Sequence, residues 1–141
     1  MILLDTGGLY AYYGATDRFQ SAADRILSRD ERRILSPFVL AELDYLVRQR
    51  VGQSIAMQIL SDVVRGAYDL DAFDSEDVAR AQAIIERYRG LGIGLTDASI
   101  VVLAERYNCH DVLTLDQRHF RTITTLDGTP FRLLPLDDLV G

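Results

Sequence analysis

Residues 33–52 read Arg-Ile-Leu-Ser-Pro-Phe-Val-Leu-Ala-Glu-Leu-Asp-Tyr-Leu-Val-Arg-Gln-Arg-Val-Gly, and this stretch decides the fold class. Arg33 to Leu35 reads as a short strand. Ser36 and Pro37 then supply an N-cap and a proline at the first helical position, which together start a helix. The helix runs to about Val51, where Gly52 is a C-terminal stop. A strand handed directly to a helix is one half of an α/β unit.

The same alternation continues outward. Upstream, Ile2 to Leu4 is a buried strand ending at Asp5, followed by a brief helix through Leu9 to Tyr13. Residues 18–28 carry Phe19, Ala22, Ala23, Ile26 and Leu27 at helical spacing. Downstream, the reading gives a helix over 54–65, an alternating strand over 67–73, and a helix from a cap at Asp74 or Ser75 to about Arg89. A glycine-bearing loop over 90–95 follows, then a helix over 97–107 capped by Thr96. Val112 to Leu115 is a strand ending at Asp116, and Arg132 to Leu134 is the last. No linker or repeat divides the 141 residues, which are therefore read as one domain, residues 1–141. The predicted class is α/β with a mainly parallel central sheet.

Composition narrows the chemistry. All 15 basic side chains are Arg, and the 21 acids divide into 16 Asp and 5 Glu, giving a net charge of −6. Without a lysine, a Walker-type phosphate loop and a Schiff-base mechanism are both excluded. A phosphoryl-transfer domain that needs a Lys beside the phosphate is excluded with them. Gly90, Gly92 and Gly94 do not make a dinucleotide fingerprint, because position 95 is Leu. One cysteine, Cys109, allows no internal disulfide and reads as a small buried residue in a reducing compartment. The opening Met-Ile-Leu-Leu-Asp lacks the pattern of a secretory signal, and no apolar run approaches ~20 residues. A cytoplasmic location and no membrane partner are expected. The acidic run Asp69 to Asp77 reads as a solvated face and a helix N-terminus.

The remaining acids form the candidate site. Asp5 and Asp116 each follow a strand, and open α/β sheets bind ligands beyond the carboxyl ends of their strands. Asp97 opens a helix after the glycine-rich approach. Glu42 and Asp44 flank the apolar stripe Val39, Leu40, Leu43, Leu46 and Val47. Periodicity alone does not choose between these two. Converging carboxylates repel by about 4 kcal/mol per pair at ~4 Å and an effective dielectric of about 20. A hard divalent cation relieves this, and an all-oxygen donor set suits Mg²⁺ or Mn²⁺. His110 and His119 read as surface or packing residues, and Tyr10, Tyr12 and Tyr13 as a core or partly exposed cluster that could also pack a dimer interface.

Four segments together resemble the acidic signatures of PIN domains: "LLDTGGLYAY" with Asp5, "SPFVLAELDYLV" with Glu42, "LTDASIVVLAERY" with Asp97 and "VLTLDQRHF" with Asp116. Their order and spacing are similar to VapC-type toxins of bacterial toxin–antitoxin pairs. The resemblance implies a three-layer α/β/α fold and a Mg²⁺- or Mn²⁺-dependent endoribonuclease acting on structured RNA of the tRNA or rRNA class. It also implies a homodimer held inactive by a VapB-type antitoxin. By that resemblance Glu42, not Asp44, is the acid of its motif. Asp5 and Asp97 are the principal metal ligands, and Glu42 and Asp116 complete the site. Thr6, Thr96 and Thr114 support it, and Arg118 is a candidate RNA phosphate contact. Gly7-Gly8 departs from the family pattern of a polar residue after Asp-Thr and is expected to loosen the loop. Two alternatives remain: a non-catalytic PIN-like partner-binding module, and a PIN nuclease outside toxin–antitoxin systems.

Overall fold

A computed structural model describes residues 1–14 and 18–140, with the side chains of 139 and 140 outside the description. Five strands form one sheet: β1 (Ile2–Leu4), β2 (Arg33–Leu35), β3 (Asp69–Leu70), β4 (Asp111–Leu113) and β5 (Arg132–Leu134). Their order is β3-β2-β1-β4-β5, and every pairing is parallel. Seven helices are described around the sheet: α1 (Thr6–Tyr13), α2 (Gln20–Leu27), α3 (Pro37–Arg50), α4 (Gln53–Val64), α5 (Ser75–Arg87), α6 (Leu95–Tyr107) and α7 (Gln117–Phe120). The strands alone are too short to bury much. Their apolar runs and the inner faces of α3 and α6, including Val39, Leu43, Val47, Ile100 and Leu103, close into one core.

The connection order has a functional consequence. From β1 the chain builds outward through β2 to β3, then crosses back to place β4 on the other side of β1. The crevice between the carboxyl ends of β1 and β4 is thus the switch point of the sheet, where open α/β folds place their ligands.

Local chemistry explains most element ends. Ser36 accepts a hydrogen bond from the Phe38 N–H at 3.1 Å, and Pro37 occupies the first helical position of α3. Gly52, with φ of 141°, ends that helix where a side chain would strain the backbone. Asp74, not Ser75, caps α5. It accepts from the Asp77 N–H at 2.9 Å while Asp77 accepts from the Asp74 N–H at 3.0 Å. The acidic run is tied down more than a solvated face would be. Arg106 approaches Asp77 at 2.7 Å and Asp71 at 3.2 Å, and Arg32 pairs with Asp69 at 2.9 Å.

Four expectations need correction. The strand expected over 67–73 is only Asp69–Leu70, because it is an edge strand bonded on one side by β2. Thr96 does not cap α6. Extended backbone at Gly94 begins the helix earlier, so Thr96 lies inside its first turn. Asp116 does not directly follow its strand: β4 ends at Leu113, and Asp116 instead caps the short helix α7, which the sequence reading did not anticipate. Gly7 and Gly8 do not form a loose loop but lie within α1. A Cβ at Gly8 would stand 2.4 Å from the Leu113 carbonyl oxygen, whereas at Gly7 it would meet nothing within 4 Å. Gly8 is therefore the point where α1 rests on β4.

Candidate active site

The switch-point crevice opens as a cavity of about 560 Å³. Its walls include Asp5, Thr6, Glu42, Thr96, Asp97, Asp116 and His119. The ionisable ones reach one place from four elements. Asp5 stands at the end of β1, Glu42 on α3, Asp97 in the first turn of α6, Asp116 at the cap of α7 and His119 within α7. A buried contact between the Ser36 and Ser99 hydroxyls, 2.7 Å apart, locks the start of α3 to α6 and sets Glu42 beside Asp97.

Asp5 is buried, and each of its carboxylate oxygens accepts one hydrogen bond. Its Oδ1 accepts from the Thr6 N–H at 2.8 Å and its Oδ2 accepts from the Thr114 hydroxyl at 2.6 Å. The same Thr114 hydroxyl oxygen accepts the Asp116 N–H at 2.9 Å, so one threonine joins the end of β1 to the cap of α7. Burial pushes the Asp5 carboxyl up to about 7, against the pull of the Thr114 bond, and the charges of Asp97 and Asp116 add to the rise. Burial also raises Asp97, with Asp116 and Glu42 adding to the rise and His119 opposing it.

Glu42 is exposed at the rim of the cavity, and its Oε2 accepts the Thr96 hydroxyl at 3.2 Å. Asp44, the other acid at the edge of the α3 stripe, faces elsewhere and pairs with Arg48 at 3.0 Å. Neither is a buried carboxylate, so the choice between them is made by direction, which helical periodicity leaves open. Thr114 holds a carboxylate, Thr96 donates to another, and Thr6 contributes only its backbone N–H, its hydroxyl oxygen being buried without a partner. Arg118 is exposed on α7 and is not among the cavity's walls.

His119 is the residue the sequence reading missed. Its Nδ1 lies 2.9 Å from Asp116 Oδ2 and 3.1 Å from Asp97 Oδ2. Its backbone N–H donates to Asp116 Oδ1 at 3.0 Å. The signal was the spacing: an acid that caps a helix lies beside the residue three positions on. Without α7 in the reading, that spacing had no meaning.

The donors present fit a divalent cation. Asp97, Asp116 and His119 each offer a ligand atom within 4.8 Å of the others, with Asp5 and Glu42 on the same walls. Thr6 adds an unpartnered buried hydroxyl, and the crowded carboxylates carry raised proton affinity that a cation would relieve. A second cleft of about 590 Å³, bordered by Tyr12, Tyr13, Asp62 and Arg65, does not share this character. Its acid is saturated by Tyr13 at 2.6 Å, by Gln58 at 3.0 Å and by Arg65. Tyr13 is thus half-buried and anchors α1 to α4.

A family model of the PIN domain matches residues 2–125, and these include all four acids and His119. The chain belongs to the PIN-domain family. Ribonuclease VapC26 of Mycobacterium tuberculosis is 36% identical over 135 residues, covering 95% of this chain and 100% of that protein. The PIN domain is therefore of the VapC type, a ribonuclease toxin of a toxin–antitoxin system. Its fold is similar to the crystal structure of VapC20 of M. tuberculosis, a sarcin–ricin-loop-cleaving toxin, with TM-score 0.76 and 19% identity over 82% of this chain and 90% of that one. It is also similar to VapBC2 from Rickettsia felis, solved bound to a promoter DNA fragment, with TM-score 0.67 and 20% identity over 94% and 98% of the two chains. No helix among the described residues is long and apolar enough to cross a membrane.

The raised Asp5 carboxyl of this PIN domain makes stability depend on pH in a stated direction. Between its ordinary value and about 7, native Asp5 holds a proton that the unfolded chain has released. Stability contributed by that proton is lost as pH rises through this window. The melting temperature of metal-free protein is expected to fall between about pH 5 and about pH 8, and millimolar Mn²⁺ to restore more of it at the upper pH. A flat profile in calorimetry, with no metal effect, would contradict the electrostatics described.

Proposed function

We propose that this PIN domain, acting as a single unit over residues 1–141, hydrolyses phosphodiester bonds of structured RNA and is restrained by a VapB-type antitoxin. The observation that carries the reading is the convergence of Asp5, Glu42, Asp97 and Asp116 in one open cavity at the sheet's switch point. Asp5, Asp97 and Asp116 would hold Mg²⁺ or Mn²⁺, with Glu42 at the rim. When bound, the ion supplies Lewis-acid polarisation of the scissile phosphate and of the attacking water.

The chain's own residues do the rest. Thr114 fixes the Asp5 carboxylate and the Asp116 backbone in one register, so two acids cannot drift apart under their mutual repulsion. Glu42 lies close enough for its charge to act on Asp97, and the Thr96 hydroxyl donates to Glu42. Glu42, exposed and reachable by water, is placed to accept a proton from the nucleophile. Arg118, exposed on α7 outside the cavity's walls, would serve as a bidentate donor for an RNA phosphate. Fifteen arginines without a lysine allow such contacts despite the net charge of −6. The ion itself reduces that charge to −4, or to −2 if two are held. Binding is therefore expected to be weak and salt-sensitive, with selectivity drawn from RNA shape.

The sarcin–ricin-loop cleavage named for VapC20 makes ribosomal RNA the first substrate to try, with tRNA beside it. Purified protein with Mg²⁺ or Mn²⁺ is expected to cut one of these at discrete positions, leaving a 3′-hydroxyl and a 5′-phosphate, and to stop in EDTA. Light scattering is expected to report a homodimer. Cleavage persisting in EDTA would remove the metal from the mechanism. A protein that binds its antitoxin but leaves all RNA intact would be a partner-binding module instead.

A further inference from the structure

We propose that His119 is a metal ligand, so that Asp97, Asp116 and His119 form a mixed nitrogen–oxygen site selecting a transition-metal divalent cation over Mg²⁺. The inference rests on the metal-dependent reading above and deepens it.

Three observations support it. First, Nδ1 of His119 lies 2.9 Å and 3.1 Å from two carboxylate oxygens, both of them ion-pair contacts without aligned hydrogen-bond geometry. Donors that share an octahedral ion at bond lengths of about 2.1 Å stand about 3.0 Å apart along an edge. Spacing without alignment is what ligands converging on one ion show. Second, the helix that carries the imidazole is held in place. The His119 backbone N–H donates to Asp116 Oδ1, and the next residue, Phe120, is anchored in the core, so α7 keeps His119 at the cavity wall. Third, the buried Thr6 hydroxyl, lining the same cavity, lacks a partner. Two buried polar atoms without a hydrogen bond, on the walls of one cavity, suit the binding of a ligand there.

The chemical consequence follows from donor type. Mg²⁺ strongly prefers oxygen and dehydrates reluctantly, while first-row transition ions accept imidazole nitrogen readily. An all-acid site discriminates less in this way, because it offers no nitrogen donor.

Tag-free full-length protein titrated with Mn²⁺, then competed with Mg²⁺, tests the proposal. Pulsed electron paramagnetic resonance of the bound Mn²⁺ is expected to show a nitrogen-14 coupling. His119→Gln is expected to abolish that coupling and weaken Mn²⁺ binding about tenfold or more, with a smaller effect on Mg²⁺. His119→Asp, which restores a ligand but as oxygen, is expected to shift preference toward Mg²⁺. Mn²⁺ bound to the wild-type protein without nitrogen coupling would overturn the role of His119 and leave the acidic site standing. Wild-type protein that binds no divalent ion at all would overturn both the site and the inference.

Discussion

Asp97→Asn is expected to lower RNA cleavage by at least about a hundredfold while leaving the protein folded. The amide keeps the shape of the carboxylate but removes its charge. Asp97 is one of the acids whose ligand atoms stand close enough to share an ion, so the loss falls on cation binding and on stabilisation of charge at phosphorus. The same change relieves repulsion in the metal-free protein. Burial and the neighbouring charges of Asp116 and Glu42 already raise the Asp97 carboxyl, which marks its ionised form as costly. The melting temperature without metal is therefore expected to stay level or rise, and the increase caused by Mn²⁺ to shrink. This pairing separates a lost site from a lost fold. In cells the variant is expected to relieve growth arrest on expression. Full cleavage by the variant would place the chemistry elsewhere.

Gly8→Ala is expected to destabilise the protein by about 1–3 kcal/mol, lowering the melting temperature by roughly 4–12 °C. A Cβ at this position would lie 2.4 Å from the Leu113 carbonyl oxygen and 2.7 Å from its carbon. These are backbone atoms of β4 and cannot rotate aside. Relief requires α1 to lift from the sheet, and α1 begins at Asp5 and Thr6. Cleavage is expected to fall with stability, because the Asp5–Thr114 bond spans the gap being opened. Gly7→Ala provides the contrast. Its Cβ meets nothing within 4 Å, so the change is expected to be neutral or to stabilise by up to about 1 kcal/mol through helix propensity. Equal effects at the two positions, measured by thermal melts, would contradict the close packing at Gly8.

Much of the architecture was legible because it rests on short-range rules. Arg33–Leu35 and Arg132–Leu134 form strands with the predicted bounds, and Ser36-Pro37 starts α3 as its cap chemistry requires. The errors fall where local preference was decided by a distant contact. Thr96 has the chemistry of a cap, but Gly94 opens the helix and the Thr96 hydroxyl turns to Glu42. The glycine pair after Asp5 looks like a flexible loop until β4 is laid against it. His119 looks like a surface residue until Asp116 caps α7 and Asp97 arrives from α6.

By itself the sequence determined the α/β class, the absence of any lysine-based chemistry, and the four acids whose order resembles a PIN domain. It could do so because strand runs, helix caps and residue inventory are properties of neighbours along the chain. Only the tertiary structure decided which way Glu42 faces, that Thr114 ties Asp5 to Asp116, and that His119 joins the carboxylates. Those facts depend on how β1 and β4 come side by side across more than a hundred residues. The strand order that puts them together is a result of global packing and is encoded in no single stretch.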